Sequence, residues 1–300
     1  MNSPVIPDDL ILQAGLLAPR AGYNLTALPG LRILRSETVL EDVPVLYRPG
    51  AVFVLQGAKQ GFLDGQVYRY DADHYLAVSV PVPFRMGSLA DPARPLLAMY
   101  LEFDLKLAAE IALALDTLEG PVPTQARSLV SSPLDPRMRS LLGRVLGTLG
   151  DPRESEILGP GLLRELHYRV LVGPQGGALR AALRHQGPAG RIVESLARIR
   201  ESYAARLSVP DLAAAAGMSV PSYHAHFKQL TGTSPIGYIK AMRLHEARLM
   251  IARNQGSVAS VAAQVGYTSA SQFSRDFRRH FGRSATEEIR WMQDHLGEVT

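Results

Sequence analysis

The sequence predicts an α+β protein of two domains: a small β-barrel or sandwich followed by helices, then an all-α domain that carries the helix-turn-helix motif twice. Three observations predict this. Between Val43 and Asp104 short runs rich in Val, Tyr, Phe and Leu alternate with turn residues. After Asp104 the apolar spacing changes to the helical period of about 3.6. Between Ser208 and Phe281 one phrase occurs twice, about 50 residues apart: a capping Ser, an apolar i,i+4 pair, a glycine, a second cap and an aromatic i,i+4 pair. The expected division is residues 1–186 and 187–300 of the 300.

In the first part, strands are expected at Val45–Tyr47, Ala51–Gln56, Gln66–Tyr70, His74–Val80, Phe84–Gly87 and Leu97–Phe103. Pro44, Pro49-Gly50, Gly57, Asp64-Gly65, Asp71, Pro81 and Pro83 punctuate them. The barrel therefore spans about 43–104. Helices follow to about 185, at Leu105–Leu118, Arg137–Leu149, Pro160–Val172 and Gln175–Leu183. In the second of these, Leu142, Val145, Leu146 and Leu149 make one apolar stripe, either core or a dimer seam, with core favoured.

The first motif spans about 208–229. Ser208 caps a short helix whose Leu212 and Ala216 share a face, and Gly217 supplies the positive φ of a sharp turn. Ser219 then caps a second helix anchored by Tyr223 and Phe227. A connecting helix at about 235–252 has Ser234 as cap and Pro235 at its first position, where the missing N–H costs nothing. Its apolar residues occupy more than one face, which suits packing on both motifs. The second motif spans about 257–280, with Ser257, the pair Val261 and Val265, Gly266, a cap at Thr268 or Ser269, and Phe273 with Phe277. Eighteen helical residues span roughly 27 Å, near the pitch of B-DNA once the flanking helices are added.

Anchoring one face leaves the other in water. That face carries Pro221, Ser222, His224, Ala225 and Lys228 in the first copy, and Ser271, Gln272, Ser274, Arg275, Arg278 and Arg279 in the second. Small polar residues, an imidazole and a guanidinium can read base edges in a major groove, and Lys228, Arg278 and Arg279 can hold phosphates. An ordinary αα-hairpin with a polar outer face explains one copy; two in tandem make it a poor explanation.

The charge distribution agrees. Net charge is +4, and residues 190–300 carry 14 basic against 9 acidic side chains. The basic surplus lies with the two motifs, as expected of a partner to polyanionic double-stranded DNA. Hydrophobic residues make up 46%, which fits globular domains and does not indicate disorder. Cysteine is absent, so disulfides, thiolate metal sites and thiol redox sensing are excluded. The segment Met1–Leu10 lacks the basic region of a signal peptide, and the apolar stretch near Leu96–Leu115 is broken by Glu102, Asp104, Lys106 and Glu110. A cytoplasmic protein without a membrane span is expected.

Residues 190–290 or so resemble the DNA-binding domain of the AraC/XylS transcription regulators. The match is carried by Gly-Met-Ser219, Phe227-Lys, Thr231-Gly-Thr-Ser-Pro235, Arg243-Leu-His-Glu-Ala-Arg248 and Val265-Gly-Tyr-Thr-Ser-Ala-Ser-Gln-Phe273-Ser-Arg-Asp-Phe277. By that resemblance, bases are contacted from Pro221, Ser222, His224 and Ala225 in the first reader, and from Ala270, Ser271, Gln272 and Arg275 in the second. Pro221 and Ala225 stand where a larger polar residue or Arg is common, so readout at that half-site is expected to be weak or shape-based. Promoter or operator DNA and RNA polymerase are the partners the resemblance implies.

The front half resembles the cupin-like effector domain of an AraC subgroup through Leu31-Arg-Ile-Leu-Arg35-Ser, Leu46-Tyr-Arg-Pro49, Gln56-Gly-Ala-Lys59, Tyr68-Arg-Tyr-Asp71, Tyr75-Leu, Arg164-Glu-Leu-His-Tyr-Arg169 and Gly173-Pro-Gln-Gly176. That implies a sensing and dimerisation module, with a small-molecule effector and a homodimer. Polar residues available to line a ligand cavity are Gln56, Lys59, Tyr68, Tyr70, His74 and Arg85. One alternative is a barrel that only dimerises and senses nothing. Another is a metal-dependent cupin-type enzyme fused to a DNA reader, which needs two or three converging His or carboxylates. His74 stands alone, and Glu102 and Asp104 read more simply as a solvated face, so no catalytic residue, metal or cofactor is expected.

Overall fold

The computed structural model describes residues 8–91, 93–120, 126–183 and 187–299. Helix α1 (Asp8–Leu17) leads into β1 (Gly22–Leu25), β2 (Leu31–Ser36), β3 (Leu40–Tyr47), β4 (Gly50–Gln56), β5 (Ala58–Leu63), β6 (Gln66–Asp71), β7 (His74–Val78), β8 (Val82–Leu89) and β9 (Leu96–Glu102). Then come α2 (Leu105–Glu119), β10 (Leu129–Pro133), α3 (Pro136–Thr148), α4 (Pro152–Val172) and α5 (Gly176–Leu183). The rest is helical: α6 (Gly187–Glu201), α7 (Val209–Ala215), α8 (Val220–Thr231), α9 (Pro235–Ala252), α10 (Val258–Gln264), α11 (Ala270–Phe281) and α12 (Ala285–Val299). The expected domain junction falls on 184–186, outside the described residues.

The strands form one antiparallel sheet in the order β1-β2-β9-β4-β7-β6-β5-β8-β3, with β10 added beside β7. It curls until the Tyr47 hydroxyl of β3 meets the Tyr100 hydroxyl of β9 at 3.0 Å, yet β1 and β3 end the path without pairing to each other. The result is a half-barrel. Alternation along β4 divides its residues between two cores. Phe53 and Leu55 face a cluster shared with α1 to α5, whereas Val52 and Val54 face the inside of the curl. Leu142, Val145 and Leu146 of α3 are buried in the first of these clusters, so the apolar stripe is core.

The sheet is larger than the sequence pattern indicates. Strand β5 reads Ala-Lys-Gln-Gly-Phe-Leu, with a Lys and a Gly at inward positions, and so carries no apolar alternation. Asp64 and Gly65 both have positive φ, 49° and 74°, and turn β5 tightly into β6. Helix α4 begins at Pro152, eight residues before the expected start at Pro160. Asp151 caps it through the Arg153 amide at 2.7 Å, and Pro160 is accommodated inside.

The C-terminal helices hold two clusters joined by α9. Tyr238, Ile239 and Met242 pack with α6, α7 and α8, while Leu244, Ala247 and Ile251 pack with α10 and α11. Helix α9 thus serves both motifs, as its many-sided apolar pattern predicts. Helix α12 lies against β1 and β2, and its Trp291 packs on the inner cluster of the half-barrel.

Candidate nucleic-acid interface

Each motif is built as its sequence dictates. The hydroxyls of Ser208, Ser219, Ser257 and Ser269 accept from the amides of Asp211, Ser222, Ser260 and Gln272 at 3.2 to 3.4 Å. The second cap of the second motif is therefore Ser269. Gly217 and Gly266 make the turns at φ 61° and 88°. Gly266 has a further role, because a Cβ there would lie 2.3 Å from the Ala204 carbonyl oxygen. Tyr223, Phe227, Phe273 and Phe277 are fully buried, and their rings pair along each helix at 5.6 and 5.4 Å. Burying such rings holds α8 and α11 firmly enough to present a fixed outer face.

Arg243 ties the second turn to the rest. Its guanidinium donates to the carbonyls of Tyr203 at 2.7 Å, Ala205 at 2.8 Å and Gly266 at 3.2 Å. Five donors in a rigid fork suit this use of Arg, which its place in the Arg243 to Arg248 run gave no reason to expect.

The two outer faces differ in access. On α11, Ala270, Ser271, Gln272, Arg275, Arg278 and Arg279 are all exposed; Arg279 also pairs with the buried Asp276. On α8, Pro221, Ala225 and Lys228 are exposed and Ser222 and His224 half-buried. There His224, Ala225 and Lys228 border a cleft of about 820 Å³, across which stand Asp64, Val67 and Tyr68 of the β5–β6 hairpin. Lys228 Nζ lies 4.0 Å from Asp64 Oδ1. The first face thus shares its space with the half-barrel, and the second is open to solvent.

Where α9 and α12 meet the sheet, the contact is polar and buried. Arg248 donates to Glu288 at 2.7 Å and to the Pro44 carbonyl of β3 at 3.1 Å, while Arg283 shares the same carboxylate at 2.8 Å. Beside them the Nε2 atoms of His245 and His280 approach to 3.3 Å, and Arg85 of β8 donates to the His280 carbonyl at 3.1 Å. Burial, reinforced by the neighbouring His280 ring and the Arg248 charge, holds His245 well below the usual imidazole range. Burial and the cations Arg85, Arg248 and Arg279 push His280 down to about 4. Both rings are neutral in the fold at pH 7.

The six residues available to an effector do not form one group. Gln56 donates to the Pro95 carbonyl at 2.8 Å, and Arg85 pairs with Asp42 on the rim. His74 faces Asp71 at 3.3 Å and is half-exposed, while Glu102 pairs with Arg48 and Asp104 caps α2. Tyr68 borders the interdomain cleft. Lys59 and Tyr70 alone come together, directly opposite each other on β5 and β6 and both buried. Ser88, absent from the six, joins them from β8; its only sequence signal is an inward position in the alternation Phe84, Met86, Ser88.

Two capped helix-turn-helix units on one shared helix, behind a curled antiparallel sheet, place the chain among the helix-turn-helix proteins. A profile of the AraC-type transcriptional regulator N-terminus matches residues 27–178, and a helix-turn-helix domain profile matches residues 212–290. The chain belongs to the AraC-type family of transcriptional regulators. Over 81 residues, 27% of this chain and 33% of the relative, it is 36% identical to a probable transcriptional regulator, LumQ, of Photobacterium leiognathi. Over 106 residues, 35% and 38% of the two chains, it is 31% identical to the HTH-type transcriptional activator RhaS of Klebsiella pneumoniae. These matches span little more than a third of the relatives' own length. An apo ToxT variant from Vibrio cholerae has the same two-part fold at a TM-score of 0.57, with 13% identity over 87% of this chain and 97% of that one. Among the described residues no helix is long and apolar enough to cross a membrane.

Proposed function

We propose that this regulator holds operator DNA through α8 and α11 in successive major grooves and that its half-barrel senses a small-molecule effector. Pro221, Ser222, His224 and Ala225 of the first helix and Ala270, Ser271, Gln272 and Arg275 of the second face the bases; Lys228, Arg278 and Arg279 hold phosphates. The observation that carries this reading is the repeat itself. Two equivalently capped and anchored helices stand at the two halves of α9, each with its polar face outward.

In this reading residues 1–186 form the sensing and dimerisation module and 187–300 the DNA-binding module. The protein acts in the cytoplasm by binding, not by catalysis, on promoters where RNA polymerase is its partner. A ligand inside the half-barrel would act on the readers through α12 and the Arg248 contact to β3, because those are the elements that seal the curl.

Selection of bound sequences from random double-stranded DNA by the full chain tests the proposal. A bipartite consensus with half-sites about one helical repeat apart is expected. A protein that ignores duplex DNA at low ionic strength contradicts it.

A further inference from the structure

The inside of the half-barrel holds charge where its strand pattern calls for an apolar side chain. Along β5, Lys59 and Gly61 point inward while Gln60 and Phe62 point to solvent, and Lys59 is 1% exposed. Strand β5 lies between β6 and β8, and Lys59 sits opposite Tyr70 on one and Ser88 on the other. The three side chains therefore form one row across the inner face, with neighbouring Cβ atoms about 4.5 to 5.5 Å apart.

None of Lys59 Nζ, Tyr70 Oη and Ser88 Oγ has a hydrogen-bond partner among the described residues. The ammonium instead faces the Tyr100 ring, 5.7 Å from its centroid. Burial, with the Tyr47 hydroxyl next to it though outside hydrogen-bond geometry, pushes the Tyr70 hydroxyl well above the usual phenol range, so it keeps its proton. Folded proteins satisfy their buried polar groups, and an ammonium taken out of water is costly unless an anion meets it. One buried ammonium and two adjacent hydroxyls that make no hydrogen bond therefore ask for an anion that accepts from all three.

We infer that Lys59, Tyr70 and Ser88 are the head-group site for a small monocarboxylate with an apolar or aromatic body. A single cation flanked by two neutral hydroxyls balances one negative charge, and the two carboxylate oxygens have lone pairs enough for all three groups. The surrounding wall is aromatic and aliphatic: Tyr47, Phe84, Met86, Tyr100 and Val52 belong to or pack on the same cluster. Trp291 of α12 packs there too, so an apolar body seated among these side chains would lie against the helix that seals the curl. That this acid is the effector rests on the sensing reading above.

The test uses the full chain and a panel of alkyl and aryl monocarboxylates, each paired with its primary amide. Calorimetric and thermal-shift binding are measured on the native protein and on Lys59→Met, Tyr70→Phe and Ser88→Ala. A member of the panel is expected to bind the native protein about tenfold or more tighter than its amide. Lys59→Met should bring acid and amide together, whereas Tyr70→Phe and Ser88→Ala should each weaken the acid a few-fold and leave the amide unchanged. If Lys59→Met does not fold, the two hydroxyl variants decide alone. Equal binding of acid and amide to the native protein, an acid preference that survives Lys59→Met, or no binding by any member overturns the site. DNA affinity measured with the bound acid separates the two readings: an acid held at Lys59 that leaves DNA affinity unchanged removes the sensing role and keeps the site.

Discussion

Lys228, on the outer face of α8, points its ammonium at Asp64 in the tip of the β5–β6 hairpin, 4.0 Å away. In the proposed DNA complex a phosphate at Lys228 would compete with the hairpin for the same space. The outer face of α8 is partly covered in this arrangement and that of α11 is open.

Removing the acid at the hairpin should favour DNA. The pair is well exposed, so its worth is small, about 0.2 to 1 kcal/mol. Asp64→Asn is expected to raise affinity for a bipartite site up to about fivefold at low salt and to leave binding of a second-reader half-site unchanged. Fluorescence anisotropy on the two duplexes checks this; an equal gain on both denies the competition.

Two glycines at similar φ separate backbone strain from close approach. At Gly282, φ 75°, an added Cβ meets nothing within 4 Å, whereas at Gly266, φ 88°, it runs into the Ala204 carbonyl. Gly282→Ala should cost about 1 to 2 kcal/mol, the left-handed penalty alone. Gly266→Ala should cost more by at least about 2 kcal/mol, since the loop that Arg243 clasps must move as well. Urea unfolding of both variants measures the difference, and equal costs would show that the contact yields freely.

The histidine pair makes stability depend on pH. His280 is pushed down to about 4 and His245 lies well below its usual range, so the unfolded chain takes up these protons first as pH falls through about 6.5. The stability their neutrality allows is fully present above that pH and drains away toward about pH 4, at roughly 1.4 kcal/mol per pH unit for each ring. Replacing His280 by Gln should flatten the slope between pH 6.5 and 4.5 by about one proton. Denaturant titrations across that range read it directly, and an unchanged slope would place the titrating groups elsewhere.

What the sequence discloses here is governed by range. Caps, turn glycines and aromatic pairs of the two motifs depend on neighbours within a few residues, so Ser208, Gly217, Phe227 and their counterparts are readable from spacing alone. The row of Lys59, Tyr70 and Ser88 depends on β8 folding back beside β5 rather than beside its neighbour β7, which no local pattern encodes. Lys59 and Tyr70 are legible as polar residues of the barrel region, whereas Ser88 shows only as an inward position in the alternation of β8. The Arg248 contact to Pro44 joins positions 204 residues apart, and α12 reaches back to β1 and β2 from the other end of the sequence, so neither contact, nor the buried pair of Arg248 with Glu288, has a local pattern. Strand β5 has no strand signature for the same reason that makes it informative: its inward lysine breaks the alternation.

The proposed interface divides its labour between readers of bases and holders of phosphate. Quantitative footprinting with salt titration of Arg275→Ala and Lys228→Ala, on a selected operator and its single-base variants, tests it most directly. Arg275→Ala should cost about 1 to 3 kcal/mol on the native operator and relax the preference at one base position. Lys228→Ala should weaken every sequence alike and lower the salt slope by about one. The same effect from both, with no base position relaxed, would contradict the assignment.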